Sequence, residues 1–194
     1  MKLRPGVQSI AAASTLVIFL GAGCAAKRAA APIPVAPERR VTLAARSTGR
    51  VGPADIYPDL SITPGVAASD VTQDNIKTTI CVPGFTAPPR RPPGSYTDKL
   101  KVQGFDEYGL SDRHKGDYEE DHLIPLEIGG DPRDPKNLWP EPYNASIPDG
   151  GARFKDKVER YLNGQICHGQ MTLADAQKTI VLDWYRVYQS MPKK

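Results

Sequence analysis

The sequence lacks most of the motifs from which familiar catalytic sites are built. Its 194 residues include only three histidines and three cysteines. It has no His-Glu-x-x-His pair, no Cys-x-x-Cys pair, no glycine-rich phosphate loop, no Ser-His-Asp arrangement and no internal repeat. These absences disfavour a zinc peptidase of the His-Glu-x-x-His type, a phosphate-loop nucleotide-binding protein and a serine hydrolase.

The chain also lacks a strong excess of charge over its second part. The formal net charge is +3. Residues 1–70 carry eight Lys and Arg against four Asp and Glu, whereas residues 71–194 carry seventeen against eighteen. Any attraction of that second part for a polyanion must therefore come from local patches or a bound metal, and not from the overall field.

No apolar run is long enough to predict a membrane span, but the N-terminus has the pattern of an export signal. Lys2 and Arg4 precede an apolar segment at 10–20, and Leu20-Gly-Ala-Gly-Cys24 resembles a bacterial lipoprotein cleavage box. We predict a signal peptide at 1–24, with lipidation at Cys24 favoured over simple export or an uncleaved anchor. The predicted location is the cell envelope or periplasm, with the lipid as a membrane anchor.

Residues 25–70 are rich in Ala, Pro, Arg and Gly. Such a segment has too little apolar area to offset the entropy of ordering, so it is predicted to be a flexible tether. The predicted folded domain is 71–194. With Cys24 assigned to the lipid, Cys81 and Cys167 remain as one pair in an oxidising compartment, which favours a disulfide over two buried free thiols.

The most informative stretch is 118–140. It places Asp121 and His122 on an apolar strand-like run, followed by a Gly-Gly turn at 129–130 and by Asn137. One hairpin would bring a carboxylate, an imidazole and a carboxamide together. A hard cation with oxygen ligands, and a neutral imidazole oriented by a hydrogen-bond acceptor, are suited to phosphodiester hydrolysis.

Asp121-His122-Leu-Ile-Pro-Leu, the Gly-Gly turn and Asn137-Leu resemble the core of HNH-type nucleases, the ββα-metal or His-Me finger superfamily, in its Asp-His-Asn variant. The resemblance implies that His122 is the general base, that Asp121 is a metal ligand, and that Asn137 supports the loop or ligates the metal. The last histidine of the motif has no counterpart. Asn144 is the nearest oxygen donor for the metal, and Glu141 is the second choice.

The resemblance implies an α+β fold with a ββα-metal core. It also implies one divalent metal ion, Mg²⁺ before Mn²⁺ or Zn²⁺, no organic cofactor, and a nucleic-acid substrate, DNA before RNA. The core helix is expected from 152 to 162, and its cations Arg153, Lys155 and Lys157 are candidates for nucleic-acid contact, with a merely solvated face as the equal alternative.

Local patterns predict the remaining elements. Alternation over 76–82 predicts an additional N-terminal strand. Thr97 is expected to cap a helix over 98–108 that Gly109 closes. Thr172 and Asp175 predict the start of a C-terminal helix. Strand alternation places Glu119 and Asp121 on one face of the hairpin.

Two other functions fit the same sequence. The first is a non-catalytic, lipid-anchored envelope protein that keeps the fold as a binding module. The second is an exported zinc-dependent hydrolase of another kind, which the scarcity of histidine disfavours.

Overall fold

A computed structural model describes residues 56–192, all of which lie in one compact unit. The predicted signal peptide at 1–24, the lipidation at Cys24 and the tether up to residue 55 lie outside the described residues. Among the described residues, no helix has both the length and the apolar character needed to cross a membrane.

The described chain is a mixture of helix and strand, which confirms the α+β class. The helices are α1 (Gly94–Glu107), α2 (Ala152–Cys167) and α3 (Leu173–Ser190), and the strands are β1 (Tyr118–His122) and β2 (Leu138–Pro142). Short 3-10 helices occur at Gln73–Thr78, Lys115–Asp117, Leu126–Ile128 and Pro135–Asn137. The two strands form an antiparallel hairpin in which His122 lies opposite Leu138.

The hairpin lies between α1 and α2. On one side, α1 approaches so closely that a Cβ on Gly104 would lie 2.8 Å from a ring carbon of Pro140. Phe105 of α1 is buried, with its ring centroid 5.2 Å from that of Tyr118. On the other side, Lys155 of α2 bonds to Asp121. The strand alternation thus sends the carboxylate of Asp121 toward α2.

The hydrophobic core is shared by α2, α3 and the segments that precede α1. Its fully buried members recur every four residues in both α2 and α3, so each helix presents one apolar face. They are Val158, Leu162, Ile166, Ala176, Ile180 and Trp184.

Residues 56–70 belong to the folded domain, so the tether boundary predicted at residue 70 is wrong. Ile56 is buried, and its carbonyl accepts a hydrogen bond of 2.8 Å from the indole N–H of Trp184. Ala67 forms a β-bridge with Gly130. Composition failed here because a few well-placed apolar residues are enough to anchor a short segment that is otherwise rich in Pro and Gly.

The N-terminal strand predicted over 76–82 is also wrong, because this segment forms a 3-10 helix and turns. Ile76 and Ile80 are buried, whereas Thr78 and Val82 are exposed, so the burial repeats every four residues and not every two. The side chain of Asn75 accepts a hydrogen bond of 2.8 Å from the N–H of Thr72. Such a local side-chain bond favours a turn over a strand.

The helix predictions are correct in existence and less accurate at the ends. Helix α1 starts at Gly94, four residues before the predicted start, and the hydroxyl of Thr97 donates to the Gly94 carbonyl instead of capping the helix. Gly109 follows its C-terminus with φ +59°, as expected for a closing glycine. Helix α3 begins as predicted, with the Thr172 hydroxyl accepting from the N–H of Asp175 at 3.1 Å.

The disulfide prediction is confirmed. Cys81 and Cys167 are bonded, with an S–S distance of 2.02 Å, across a sequence separation of 86 residues. The bond ties the turn that follows the first 3-10 helix to the last residue of α2, which runs five residues beyond its predicted end.

Candidate active site

The loop between the strands is held by the side chain of Asn137. Its Oδ1 accepts from the N–H groups of Ile124 (2.9 Å) and Val66 (3.2 Å), and its Nδ2 donates to the carbonyls of Ile124 and Asp131 (both 3.0 Å). Asn137 is completely buried. These four bonds use all the donors and acceptors of a carboxamide. Asn137 therefore supports the loop, and its prediction as a metal ligand disagrees with the structure.

The Gly-Gly turn is required by close approach. A Cβ on Gly130 would lie 1.7 Å from the carbonyl oxygen of Ile124, and Gly129 has φ +78°. Only glycine fits the first contact, and glycine is strongly favoured at the second. The turn therefore lets the chain pass close under Ile124 and return toward β2.

His122 is the last residue of β1, and it is 5% exposed. Its Nε2 lies 3.1 Å from the carbonyl oxygen of Pro132. A carbonyl only accepts, so Nε2 carries the hydrogen and the neutral ring keeps its lone pair on Nδ1. Burial lowers the pKa of His122, and the nearby Asp121 carboxylate only partly opposes this. The ring is therefore neutral near pH 7, in a defined tautomer.

The carboxylate of Asp121 is directed toward a buried lysine. Lys155 of α2 is completely buried, and its ammonium bonds to Asp121 Oδ2, to the His122 carbonyl (3.0 Å) and to Glu159 Oε1 (2.6 Å). Glu141 Oε2 lies 3.9 Å from the same nitrogen. We call Asp121, Glu141, Lys155 and Glu159 the buried charge cluster.

Burial and the charge of Lys155 together determine the direction of the pKa shifts in the buried charge cluster. Burial opposes the charge of Lys155, but the surrounding carboxylates outweigh it and raise its pKa well above the usual range. Burial also opposes the charge of Asp121, but Lys155, a hydrogen bond with Glu141 and the nearby His122 together outweigh it, so the pKa of Asp121 is lowered. Burial raises the pKa of Glu159 to about 8 and that of Glu141 well above its usual value. The cluster is therefore a Lys155–Asp121 ion pair flanked by two carboxyls that favour the protonated form.

The prediction that Lys155 belongs to a basic face for nucleic-acid contact is wrong, because the side chain is buried. Arg153, Lys157 and Arg160 are exposed and lie on one side of α2, at spacings of four and three residues. The guanidinium of Arg153 lies 5.2 Å from the ring centroid of Tyr143. We call Arg153, Lys157 and Arg160 the α2 cation stripe.

The predicted metal ligands do not form a set of free oxygen donors. The amide of Asn137 is fully bonded, Asp121 is paired with Lys155, and Asn144 is an exposed residue in the segment after β2. Within residues 56–192, no group of three or more His, Cys, Asp or Glu side chains is arranged to hold a metal ion. The fold therefore occupies both polar groups of the Asn137 amide and one oxygen of Asp121, and a divalent cation at this site stays a prediction.

Two further acidic residues near Asp121 are half-buried. Burial raises the pKa of both Glu119 and Asp156, and the charge of Asp121 adds to the effect. Glu119 was expected on the face of Asp121, and this mutual influence agrees with that placement. Sequence analysis missed Asp156, which carries no motif, and it missed Lys155 and Glu159 as members of the site.

A sequence signal for Lys155 does exist. Lys155 lies three residues before Val158 and seven before Leu162, both of which are completely buried. Helical periodicity therefore places it on the apolar face of α2, where a lysine needs a carboxylate partner.

Comparisons with protein-family models, with curated protein sequences and with solved structures each find no match. The function is therefore inferred from the residues of the site. The relevant features are the oriented imidazole of His122, the buried charge cluster beside it, and the exposed α2 cation stripe.

Proposed function

We propose that the protein hydrolyses phosphodiester bonds of nucleic acid, with His122 as the general base. The observation that carries this proposal is the hydrogen bond from His122 Nε2 to the Pro132 carbonyl. It leaves the lone pair on Nδ1, and burial lowers the pKa of the ring. A neutral imidazole with a fixed free nitrogen is suited to remove a proton from water.

The same contacts support the ring after it takes the proton. When Nδ1 accepts a proton from water, the ring becomes an imidazolium, and the Nε2–H bond to the Pro132 carbonyl becomes charge-assisted. The Asp121 carboxylate favours the charged ring electrostatically. The ammonium of Lys155 bonds to both the His122 carbonyl and Asp121, so it holds the end of β1 against α2.

The α2 cation stripe is the proposed contact for nucleic acid, with DNA preferred over RNA. Residues 71–194 have almost no net charge, so contact with phosphates must rely on a local group of cations. Arg153, Lys157 and Arg160 form such a group on the solvent face of the helix that packs against the hairpin. In this interpretation β1, β2 and α2 form a ββα unit of the HNH type.

No step of the proposed hydrolysis is assigned to a metal, because the amide of Asn137 is fully bonded and Asp121 is paired with Lys155. A divalent ion is the usual means of stabilising charge at a phosphate in this type of chemistry. The cleavage assay therefore varies the metal directly, with Mg²⁺, Mn²⁺, Zn²⁺ and EDTA as separate conditions.

The test uses the oxidised protein with plasmid DNA and with RNA. We expect cleavage by the wild type, and its loss in His122→Ala. His114→Ala is the matched control, since the side chain of His114 is 74% exposed and pairs with Asp117. Equal cleavage by His122→Ala and the wild type would remove His122 as the base.

A second function is favoured by one observation. The carboxylate predicted to hold a metal is instead paired with the buried Lys155. A non-catalytic binding module in the cell envelope needs no free carboxylate at that position. Under this alternative, the oxidised protein would bind nucleic acid or another envelope component without cleaving it.

We also propose that the protein acts outside the cytoplasm. The Cys81–Cys167 disulfide supports this location, since such bonds persist in oxidising compartments. Labelling with a radioactive fatty acid, compared between wild type and Cys24→Ser, tests the lipid anchor. If the wild type takes up no label, the protein is not lipidated, and export without a lipid anchor is the remaining interpretation.

A further inference from the structure

The loop between β1 and β2 contains two similar Asp-Pro pairs, and only the first supplies the carbonyl that bonds to His122. We propose that Asp131 is a positioning residue for His122. Its carboxylate fixes the peptide unit whose carbonyl orients the imidazole. The role of this residue in catalysis rests on the proposed function, whereas its effect on the imidazole does not.

Asp131 is held by its backbone and in turn holds the residues that follow. Its N–H donates to the Val66 carbonyl at 2.8 Å, and its carbonyl accepts from the side chain of Asn137 at 3.0 Å. Its Oδ1 accepts from the N–H groups of Arg133 and Asp134, both at 2.8 Å. Backbone and side chain together therefore fix the chain on both sides of Pro132.

The key geometry is that of a single peptide unit. The Pro132 carbonyl and the Arg133 N–H belong to the same planar trans peptide, so they point in opposite directions. His122 Nε2 contacts this unit from the carbonyl side, and Asp131 Oδ1 contacts it from the N–H side. Rotating the unit to break one bond therefore breaks the other, and Asp131 selects the direction of the carbonyl.

Pro132 further restricts the orientation of this peptide unit. Its ring fixes φ near −65°, so the main remaining freedom at Pro132 is the rotation that turns this peptide unit. The next carbonyl, that of Arg133, accepts from the hydroxyl of Tyr96 on α1, and the guanidinium of Arg133 donates to the Pro89 carbonyl at 3.2 Å. These contacts hold the following peptide, but neither of them acts on the Pro132 carbonyl itself.

The second Asp-Pro pair provides a matched control within the same loop. Asp134 Oδ1 accepts from the N–H of Lys136 at 2.9 Å. The carbonyl of Pro135 accepts from the N–H of Leu138, at the start of β2. Asp134→Ala therefore removes a similar cap from the same loop without touching the peptide unit that His122 contacts.

The direct test is nitrogen NMR of the imidazoles in the full chain at neutral pH. In the wild type and in Asp134→Ala we expect His122 to be protonated on Nε2 and unprotonated on Nδ1. In Asp131→Ala we expect the two tautomers to mix. Asp131→Asn keeps the acceptor and should restore the wild-type pattern.

Asp131→Glu keeps the charge but moves the carboxylate by one methylene, so we expect it to show the same mixed tautomers as Asp131→Ala. It takes the place of Asp131→Ala in the test if that variant does not fold. A wild-type tautomer in folded Asp131→Ala or Asp131→Glu would overturn the proposal.

Turnover provides the second readout. We expect Asp131→Ala to lower kcat by up to about 10²-fold with little change in KM, because a misplaced base loses rate and not substrate affinity. If the wild type shows the expected tautomer and cleaves nothing, the nuclease function is wrong and the positioning role stands. If the wild type cleaves and folded Asp131→Ala has unchanged kcat, the catalytic role of Asp131 is refuted.

Discussion

Replacing Lys155 by methionine should destabilise the fold severely. The side chain is completely buried and bonds to two carboxylates and a carbonyl. Methionine fills a similar volume but removes the charge. Removing one partner of a buried ion pair typically costs about 3–5 kcal/mol, because the other partner is left uncompensated.

The structure indicates how this loss depends on pH. Glu141 and Glu159 already favour their protonated forms, so Asp121 is the charge left unpaired. Without Lys155, burial raises the pKa of Asp121 above its unfolded value. The folded variant then keeps a proton that the unfolded chain loses, so its stability falls as the pH rises above about 4. The destabilisation should therefore be smaller at pH 5 than at pH 8.

Urea unfolding measures this effect, with the fluorescence of the buried Trp139 and Trp184 as the signal. Lys178→Met is the control, since this exposed residue of α3 should change stability by no more than about 0.5 kcal/mol. A Lys155→Met variant within about 1 kcal/mol of the wild type at pH 8 would contradict the buried ion pair, for which a loss of about 3–5 kcal/mol is expected.

Three further predictions concern other parts of the molecule. Reduction of the Cys81–Cys167 bond should lower the free energy of unfolding by about 4–5 kcal/mol in the chain-entropy model, because the bond closes a long loop. Unfolding with and without a reductant checks this, and equal stability would refute it. Burial raises the pKa of Glu120 from 4.5 to about 8, so the native state keeps a proton that the unfolded chain loses, and stability falls over this range. Glu120→Gln should therefore match the wild type at pH 4 and gain stability over it up to pH 8, by at most about 1.4 kcal/mol per pH unit; parallel stability profiles would contradict this. Finally, Arg153→Gln and Lys157→Gln should each weaken DNA binding and reduce the salt slope by about 0.9, whereas Lys178→Gln on α3 should not. Equal salt slopes in all three variants, measured by fluorescence anisotropy, would exclude the α2 cation stripe.

The sequence predicted the parts of the fold that have a strong local signal, and it predicted the disulfide from the number of cysteines. The Thr172–Asp175 cap marked the start of α3, and two cysteines left after Cys24 indicated the disulfide. The Gly-Gly turn between β1 and β2 was also predicted. The structure explains both glycines, since Gly129 has a positive φ and a Cβ on Gly130 would collide with the carbonyl oxygen of Ile124.

The parts that sequence missed depend on tertiary contacts. The segment 76–82 alternates in sequence, but only Ile76 and Ile80 are buried, because the chain turns there and presents one side to the core. Residues 56–70 have the composition of a tether, and they are ordered through contacts with distant elements, such as the bond from Trp184 to the Ile56 carbonyl.

The candidate site was predicted in part. Asp121 and His122 lie at the end of β1, as expected, and His122 is oriented by a backbone acceptor. The partner of Asp121 is missed, because the family resemblance places Lys155 among the cations for nucleic-acid contact, whereas the structure pairs it with Asp121. The positive charge of Lys155 suggested contact with nucleic acid, but its position on the apolar face of α2 buries the side chain and does not allow this contact.

The most direct test of the proposed function is the cleavage of plasmid DNA by the oxidised protein, with His122→Ala and His114→Ala measured beside it under each metal condition. We expect the wild type and His114→Ala to cleave, and His122→Ala to lose activity by at least about 10²-fold while keeping its fold, as is typical for the loss of a general base. Cleavage by folded His122→Ala at the wild-type rate, or no cleavage of DNA or RNA by the folded wild type in any condition, would contradict the assignment of His122 as the base of a nuclease.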